Sequence, residues 1–88
     1  MSEPLHVRVY ITPKKGILDP QGVAVERSLP ALGFEGVSEV RVGKFIELDL
    51  ELPAGAAAET AREQIDEMCR KLLANPIIED FTFAIDGQ

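Results

Sequence analysis

The sequence predicts an α+β domain of order β-α-β-β-α-β: a two-layer fold with an antiparallel sheet and two helices on one face. Three observations carry that prediction. Two segments, His6–Thr12 and Phe45–Leu52, alternate apolar and polar residues with a period of two, as half-buried strands do. A third, Ala56–Ala74, repeats apolar residues at helical spacing. The elements arrive as strand, helix, two strands, helix, strand, which suits a layer of helices on an antiparallel sheet.

In His6–Thr12, Val7, Val9 and Ile11 lie on one side, with His6, Arg8, Tyr10 and Thr12 on the other. Pro13 ends the strand, because proline donates no ladder hydrogen bond. A basic loop through Lys14, Lys15 and Gly16 leads to Asp19-Pro20, an N-cap aspartate followed by proline at the first helical position. Val25, Leu29 and Leu32 continue the helix. Pro30 kinks it or ends it early, and Gly33 sits where a C′ glycine closes one. Val37–Val42 reads as a short second strand, joined by a Gly43-Lys44 turn to Phe45–Leu52 as a hairpin. There Ile46, Leu48, Leu50 and Leu52 form a dry face, and Phe45, Glu47, Asp49 and Glu51 a mostly acidic one.

Pro53-Ala-Gly-Ala is a linker. In the helix that follows, Ala61, Ile65, Met68 and Leu72 form the apolar stripe, widened by Cys69 and Leu73. Arg70 and Lys71 complement its C-terminal dipole. Asn75-Pro76 stops it, and a last strand runs from Ile77 to about Ile85, with Phe81, Phe83 and Ile85 on one face. Two helices cover one sheet face, so the other carries His6, Arg8, Tyr10, Phe45, Glu47, Asp49 and Glu51. A mixed face with Tyr10 and Phe45 suits a contact surface.

Eighty-eight residues make one domain with a small core, and such domains often complete their burial by self-association. A net charge of −6, from nine Lys plus Arg against fifteen Asp plus Glu, argues against nucleic acid, whose phosphates require a basic surface. No apolar run nears the ~20 residues that cross a bilayer, and the N-terminus has no signal-peptide pattern. A single cysteine fits a reducing cytoplasm. The expected chain is a cytoplasmic one that meets neither membrane nor nucleic acid.

No catalytic constellation is legible. His6 is the single histidine and reads as a surface residue. Cys69 reads as a buried structural thiol, since no helix N-terminus lies near to lower its pKa. No metal-ligand spacing occurs, and the alternating carboxylates of Glu47–Glu51 are most simply a solvated face. Lys14-Lys15-Gly16 and Arg41–Lys44 are the basic clusters. Both are loop positions suited to an anion or a partner protein.

Three stretches, Lys15–Gly22 (KGILDPQG), Val40–Leu48 (VRVGKFIEL) and Cys69–Asp80 (CRKLLANPIIED), closely resemble the PurS family, and the similarity runs from about Val7 to Ile85. The resemblance implies a single PurS-like domain over residues 1–88, a non-catalytic assembly subunit of phosphoribosylformylglycinamidine synthase. Such a subunit joins a large ATP-using synthetase subunit to a glutaminase subunit, so that formylglycinamide ribonucleotide, glutamine and ATP give formylglycinamidine ribonucleotide in purine biosynthesis. It implies a homo-oligomer, dimer or tetramer, with no cofactor of its own; ATP and glutamine belong to the complex. The contact residues expected from the clustering and strand parity are Tyr10, Lys14, Lys15, Arg41, Lys44 and Phe45. The rival expectation is a ligand-sensing regulatory module of βαββαβ type.

Overall fold

The computed structural model describes residues 4–86. The elements are β1 (Leu5–Pro13), α1 (Pro20–Ser28), a 3₁₀ turn (Pro30–Leu32), β2 (Lys44–Leu50), α2 (Ala58–Met68), a π turn (Cys69–Leu73) and β3 (Glu79–Asp86). The α+β class and the antiparallel sheet stand as expected. The sheet has three strands in the order β2-β1-β3, both neighbours antiparallel to β1. Pairing runs from Leu5↔Leu50 to Ile11↔Lys44 on one side and from His6↔Asp86 to Pro13↔Glu79 on the other.

The strand parity of β1 holds. Val7, Val9 and Ile11 are sealed in the core with Ala61, Ile65, Cys69 and Ala74, and Ile46, Leu48, Leu50, Leu73, Phe81, Phe83 and Ile85 pack around them. Each large side chain so buried contributes on the order of 1.5–3 kcal/mol. α2 begins without a side-chain cap at Ala57. Its last turn widens, and the Ala74 N–H donates to the Cys69 carbonyl at 2.9 Å. A π turn therefore replaces the expected regular helix over 69–73. Asn75 then reverses the chain: its side chain accepts from Ile77 N–H at 3.2 Å, and its carbonyl from Glu79 N–H at 2.7 Å. That turn uses up residues 76–78, so the last strand starts at Glu79 instead of Ile77.

Two expectations are corrected. Val37–Val42 is not a strand, and it forms no hairpin with β2. The N–H groups that would enter a ladder are taken by side chains. Val40 donates to a Glu26 carboxylate oxygen at 3.1 Å and Val42 to Asp19 Oδ2 at 2.8 Å. Glu39 breaks the extended run with a left-handed φ of 57°, a conformation uncommon outside glycine. Gly43 does not turn the chain back. It lies so close to β1 that a Cβ there would overlap the Ile11 carbonyl oxygen, and the backbone runs straight into β2. The latter ends at Leu50, which leaves Glu51 and Leu52 beyond the sheet.

The second correction concerns α1. It is capped as expected: Asp19 accepts the Gly22 N–H at 3.1 Å, Pro20 opens the helix, Pro30 converts its end to a 3₁₀ turn, and Gly33 closes that turn at φ 95°. It does not join α2 on the sheet, and the core takes its helical residues from α2 and the π turn. Residues 14–43 form an arm that leaves the sheet at Pro13 and returns at Lys44, and within it only Gly22 is buried. The described chain measures 55 × 26 × 15 Å, with a radius of gyration of 17.1 Å. A compact chain of this length would have about 12 Å.

Candidate functional site

Two surfaces carry the residues singled out from the sequence. The first is the sheet face opposite α2. The antiparallel register sets Tyr10 against Phe45, Arg8 against Glu47 and His6 against Asp49, and cross-strand neighbours on one face sit close enough to interact. Tyr10 and Phe45 pack with ring centroids 5.2 Å apart and planes tilted by 34°, and both rings are substantially exposed. Arg8 donates to the Tyr10 hydroxyl at 3.1 Å and to Asp86 on β3 at 2.7 Å. Its Nε is buried without a hydrogen-bond partner.

His6 completes this face. Its ring contacts Asp49 at 3.1 Å and Glu47 at 3.5 Å. Hydrogen bonding to the Asp49 carboxylate, aided by Glu47, raises its pKa above the ordinary value of 6.5. Spacing puts His6 and Arg8 on this open face, and the structure adds their partners, Asp49 and Glu47 for His6 and Asp86 for Arg8. The register links them: with Tyr10 set against Phe45 in the antiparallel pair, His6 lies opposite Asp49.

The second surface is the base of the arm. Lys14, Lys15 and Arg41 line one cavity of about 180 Å³ with Gly16, Ile17, Asp19, Val23, Glu39 and Val40. Three of the four predicted basic residues therefore converge, although 26 positions separate Lys15 from Arg41. Arg41 donates to the Pro13 carbonyl at 3.0 Å, and Lys14 pairs with Asp80 at 2.6 Å. The Asp19 carboxyl is held below its ordinary 3.8 by the N–H groups of Val42 and Gly22, so it stays a carboxylate and partly offsets the cations. Lys44 does not join them. Opposite Ile11 in the register, it points to the α2 side of the sheet and lies 3.7 Å from Glu79.

A wider, open trough of about 550 Å³ runs between α2 and β3, lined by Lys14, Asp66, Arg70, Glu79, Asp80 and Phe81 among others. Its two cations are paired within it, Lys14 with Asp80 and Arg70 with Asp66, and its third carboxylate, Glu79, faces Lys44. Arg70 pairs with Asp66 at 2.7 Å and lies 5.5 Å from the centre of the Phe81 ring. Cys69 is sealed in the core, and burial pushes its thiol pKa up, the opposite of what a nucleophile needs. Among the described residues, no cluster of three or more His, Cys, Asp or Glu side chains is placed to hold a metal ion, and no helix is long and apolar enough to cross a membrane. Aromatic rings beside paired charges, and a small cationic cavity at a loop, are features of recognition.

Comparison with known proteins identifies the relatives of this architecture. The family model described as PurS, phosphoribosylformylglycinamidine (FGAM) synthase, matches residues 6–87. A phosphoribosylformylglycinamidine synthase subunit PurS from Synechocystis is 51% identical over 85 residues, which cover 97% of this chain and 82% of the relative. The crystal structure of the PurS subunit from Thermotoga maritima superposes with a TM-score of 0.81 at 27% identity, covering 97% of this chain and 94% of that one. A chain in the structure of PurLQS from the same organism superposes with a TM-score of 0.79 at 26% identity, over 94% and 98%. With a family model spanning nearly every described residue and a relative half identical along the same length, this chain belongs to the PurS family.

Proposed function

We propose that the chain is the small, non-catalytic subunit of phosphoribosylformylglycinamidine synthase. In that role it bridges the ATP-using synthetase subunit and the glutaminase subunit, so that ammonia released from glutamine converts formylglycinamide ribonucleotide to formylglycinamidine ribonucleotide. The observation that carries this reading is the superposition, over nearly its full length, on a chain in the structure called PurLQS. The surfaces agree with it: they offer aromatic and charged contacts, and the one thiol is buried. Residues 1–88 act as one PurS-like unit in the cytoplasm. The unit has no cofactor of its own; ATP and glutamine are used by the complex.

Within that role, Lys14, Lys15 and Arg41 at the arm base and Tyr10 and Phe45 on the open sheet face meet partner subunits. Lys44 acts beside Glu79 on the other face. The chain also self-associates, which the exposed apolar residues of the arm support. The test is glutamine-dependent amidine formation by purified synthetase and glutaminase subunits, with and without this chain. Activity that requires the chain is the expected result. Full glutamine-dependent activity without it would overturn the bridging role and leave the ligand-sensing reading in its place. Changing Arg41 and Lys44 together to Glu should reduce capture of the chain by the synthetase subunit while leaving its circular dichroism unchanged.

A further inference from the structure

The cavity at the base of the arm is walled by three segments: the loop after β1, α1 at Val23, and residues 39–41. Its volume of about 180 Å³ is the liquid share of roughly six waters. That lies below the about 300 Å³ at which cofactor-sized pockets begin. A single small metabolite fits there, and a nucleotide does not.

Charge decides the class of ligand. Lys14, Lys15 and Arg41 bring three positive charges to the lining, and Asp19 and Glu39 bring two negative ones. Lys14 is committed to Asp80 of β3 at 2.6 Å, a residue outside this lining. Two cations are then balanced by two carboxylates. They do not close on one another: among the described residues, Lys15, Arg41, Asp19 and Glu39 enter no ion pair. Arg41 donates to the Pro13 carbonyl at 3.0 Å and keeps its charge, while the Gly22 and Val42 N–H groups keep Asp19 ionised. A phosphate dianion would meet both carboxylates as like charges, whereas a zwitterion finds a partner for each of its ends. Ile17, Val23 and Val40 supply the apolar part of the wall. Ile17 and Val23 are 38% and 39% exposed, so an apolar body has surface there to cover.

The walls are fixed by the fold itself. Asp19 joins α1 to the opposite wall by accepting the Gly22 N–H at 3.1 Å and the Val42 N–H at 2.8 Å. Glu26 accepts the Val40 N–H at 3.1 Å, and the Ile17 N–H donates to the Lys14 carbonyl at 3.2 Å. Gly22 lets α1 approach the Val40 carbonyl so closely that a Cβ would overlap it. Walls held in this way lower the ordering cost of taking up a small ligand.

We propose that this cavity binds one free α-amino acid with an aliphatic side chain. Its carboxylate lies on Lys15 and Arg41, its ammonium on Glu39, and its side chain against Ile17, Val23 and Val40. Binding is a property of this chain alone and does not rest on the bridging role; a partner subunit meeting the same loop closes over the occupied cavity.

The test titrates ¹⁵N-labelled full-length chain with L-leucine and follows its amide spectrum. Saturable shifts confined to residues 14–23 and 39–42 are expected. The dissociation constant should be about 1 mM or tighter, within the ceiling for a ligand of about nine non-hydrogen atoms. N-acetyl-L-leucine lacks the ammonium and L-leucinamide lacks the carboxylate. Each should bind at least about tenfold more weakly, the size of a lost charge-assisted contact. Glu39→Gln, with the amide spectrum of its sheet unchanged, should weaken L-leucine by the same factor without weakening N-acetyl-L-leucine. Inorganic phosphate should not compete. No saturable shift at these residues, undiminished binding of either blocked analogue, competition by phosphate, or an unchanged dissociation constant for Glu39→Gln would each overturn the site. A chain that fails here yet still restores glutamine-dependent amidination would keep its bridging role.

Discussion

The sheet with α2 and the arm of residues 14–43 are built from similar raw material with opposite results. Both contain apolar residues at regular spacing, and both contain a helix with sensible termini. In the sheet half, β1 lies between two strands and beneath a helix, so Val7, Val9, Ile11 and Ile65 lose all contact with water. In the arm, α1 has only a loop beside it, and its valines stay exposed. The sheet half is held by burial, whereas the arm is held in place by backbone N–H groups that donate to Asp19 and Glu26 and by Arg41, which donates to a backbone carbonyl. Amphipathic pattern alone therefore does not tell whether a helix finds its cover in its own chain.

That contrast is open to attack by substitution, beginning where the effect is largest. Ile65→Ala removes a fully buried side chain from the core, and it should lower the unfolding free energy by about 2–5 kcal/mol in a urea titration. The equivalent truncation in the arm, Val25→Ala, should cost a dilute monomeric chain less than about 1 kcal/mol, because little is buried there to lose. Equal losses would show that the two halves do not differ as described.

Gly43→Ala comes next. Its Cβ would overlap the Ile11 carbonyl, so the junction of arm and sheet must shift, at about 1–3 kcal/mol. The same titration measures this, and amide exchange should rise first at Lys44 and Phe45.

Asp19→Ala removes the acceptor for the Gly22 and Val42 N–H groups. Limited proteolysis should then cut within residues 14–43 faster while sparing the sheet. Because the folded-state pKa of Asp19 is lowered, its contribution is present above the ordinary value of 3.8 and fades as pH falls through the lower folded value. Proteolysis of the wild-type arm should accelerate only in that acid range.

The smallest effect belongs to His6. Its pKa is raised by Asp49 and Glu47, so its stabilising effect is complete below the ordinary value of 6.5 and is lost as pH rises through the raised value. An NMR titration of the ring should give a midpoint above 6.5, and His6→Gln should abolish that pH-dependent increment in stability. A midpoint at or below 6.5 would show that the two carboxylates do not act on the ring.

Much of the candidate surface was legible from spacing. Alternation in His6–Thr12 assigned each β1 side chain to its face, and alternation in Phe45–Leu52 placed Phe45 on the same face as Tyr10. The convergence of Lys14 and Lys15 with Arg41 was not legible, because it depends on how the arm closes. Nor was the His6–Asp49–Glu47 group, because contact across strands requires a register. Lys44, expected in a loop with Arg41, lies instead in β2, where strand parity sets it opposite Ile11 on the α2 side of the sheet.

By itself, the sequence determined the local elements: the period-two strands, the Asp19-Pro20 helix start, the stop at Pro30 and Gly33, and the alanine-rich helix. These depend on backbone geometry and near neighbours, which residue order contains directly. Only the tertiary structure decided that Val37–Val42 is no strand and that α1 leaves the sheet. In the folded chain the N–H groups of Val40 and Val42 are taken by side-chain acceptors, Glu26 and Asp19, that lie 14 and 23 residues away. A close approach of Gly43 to Ile11 then set the direction of the arm, a steric fact that no spacing encodes.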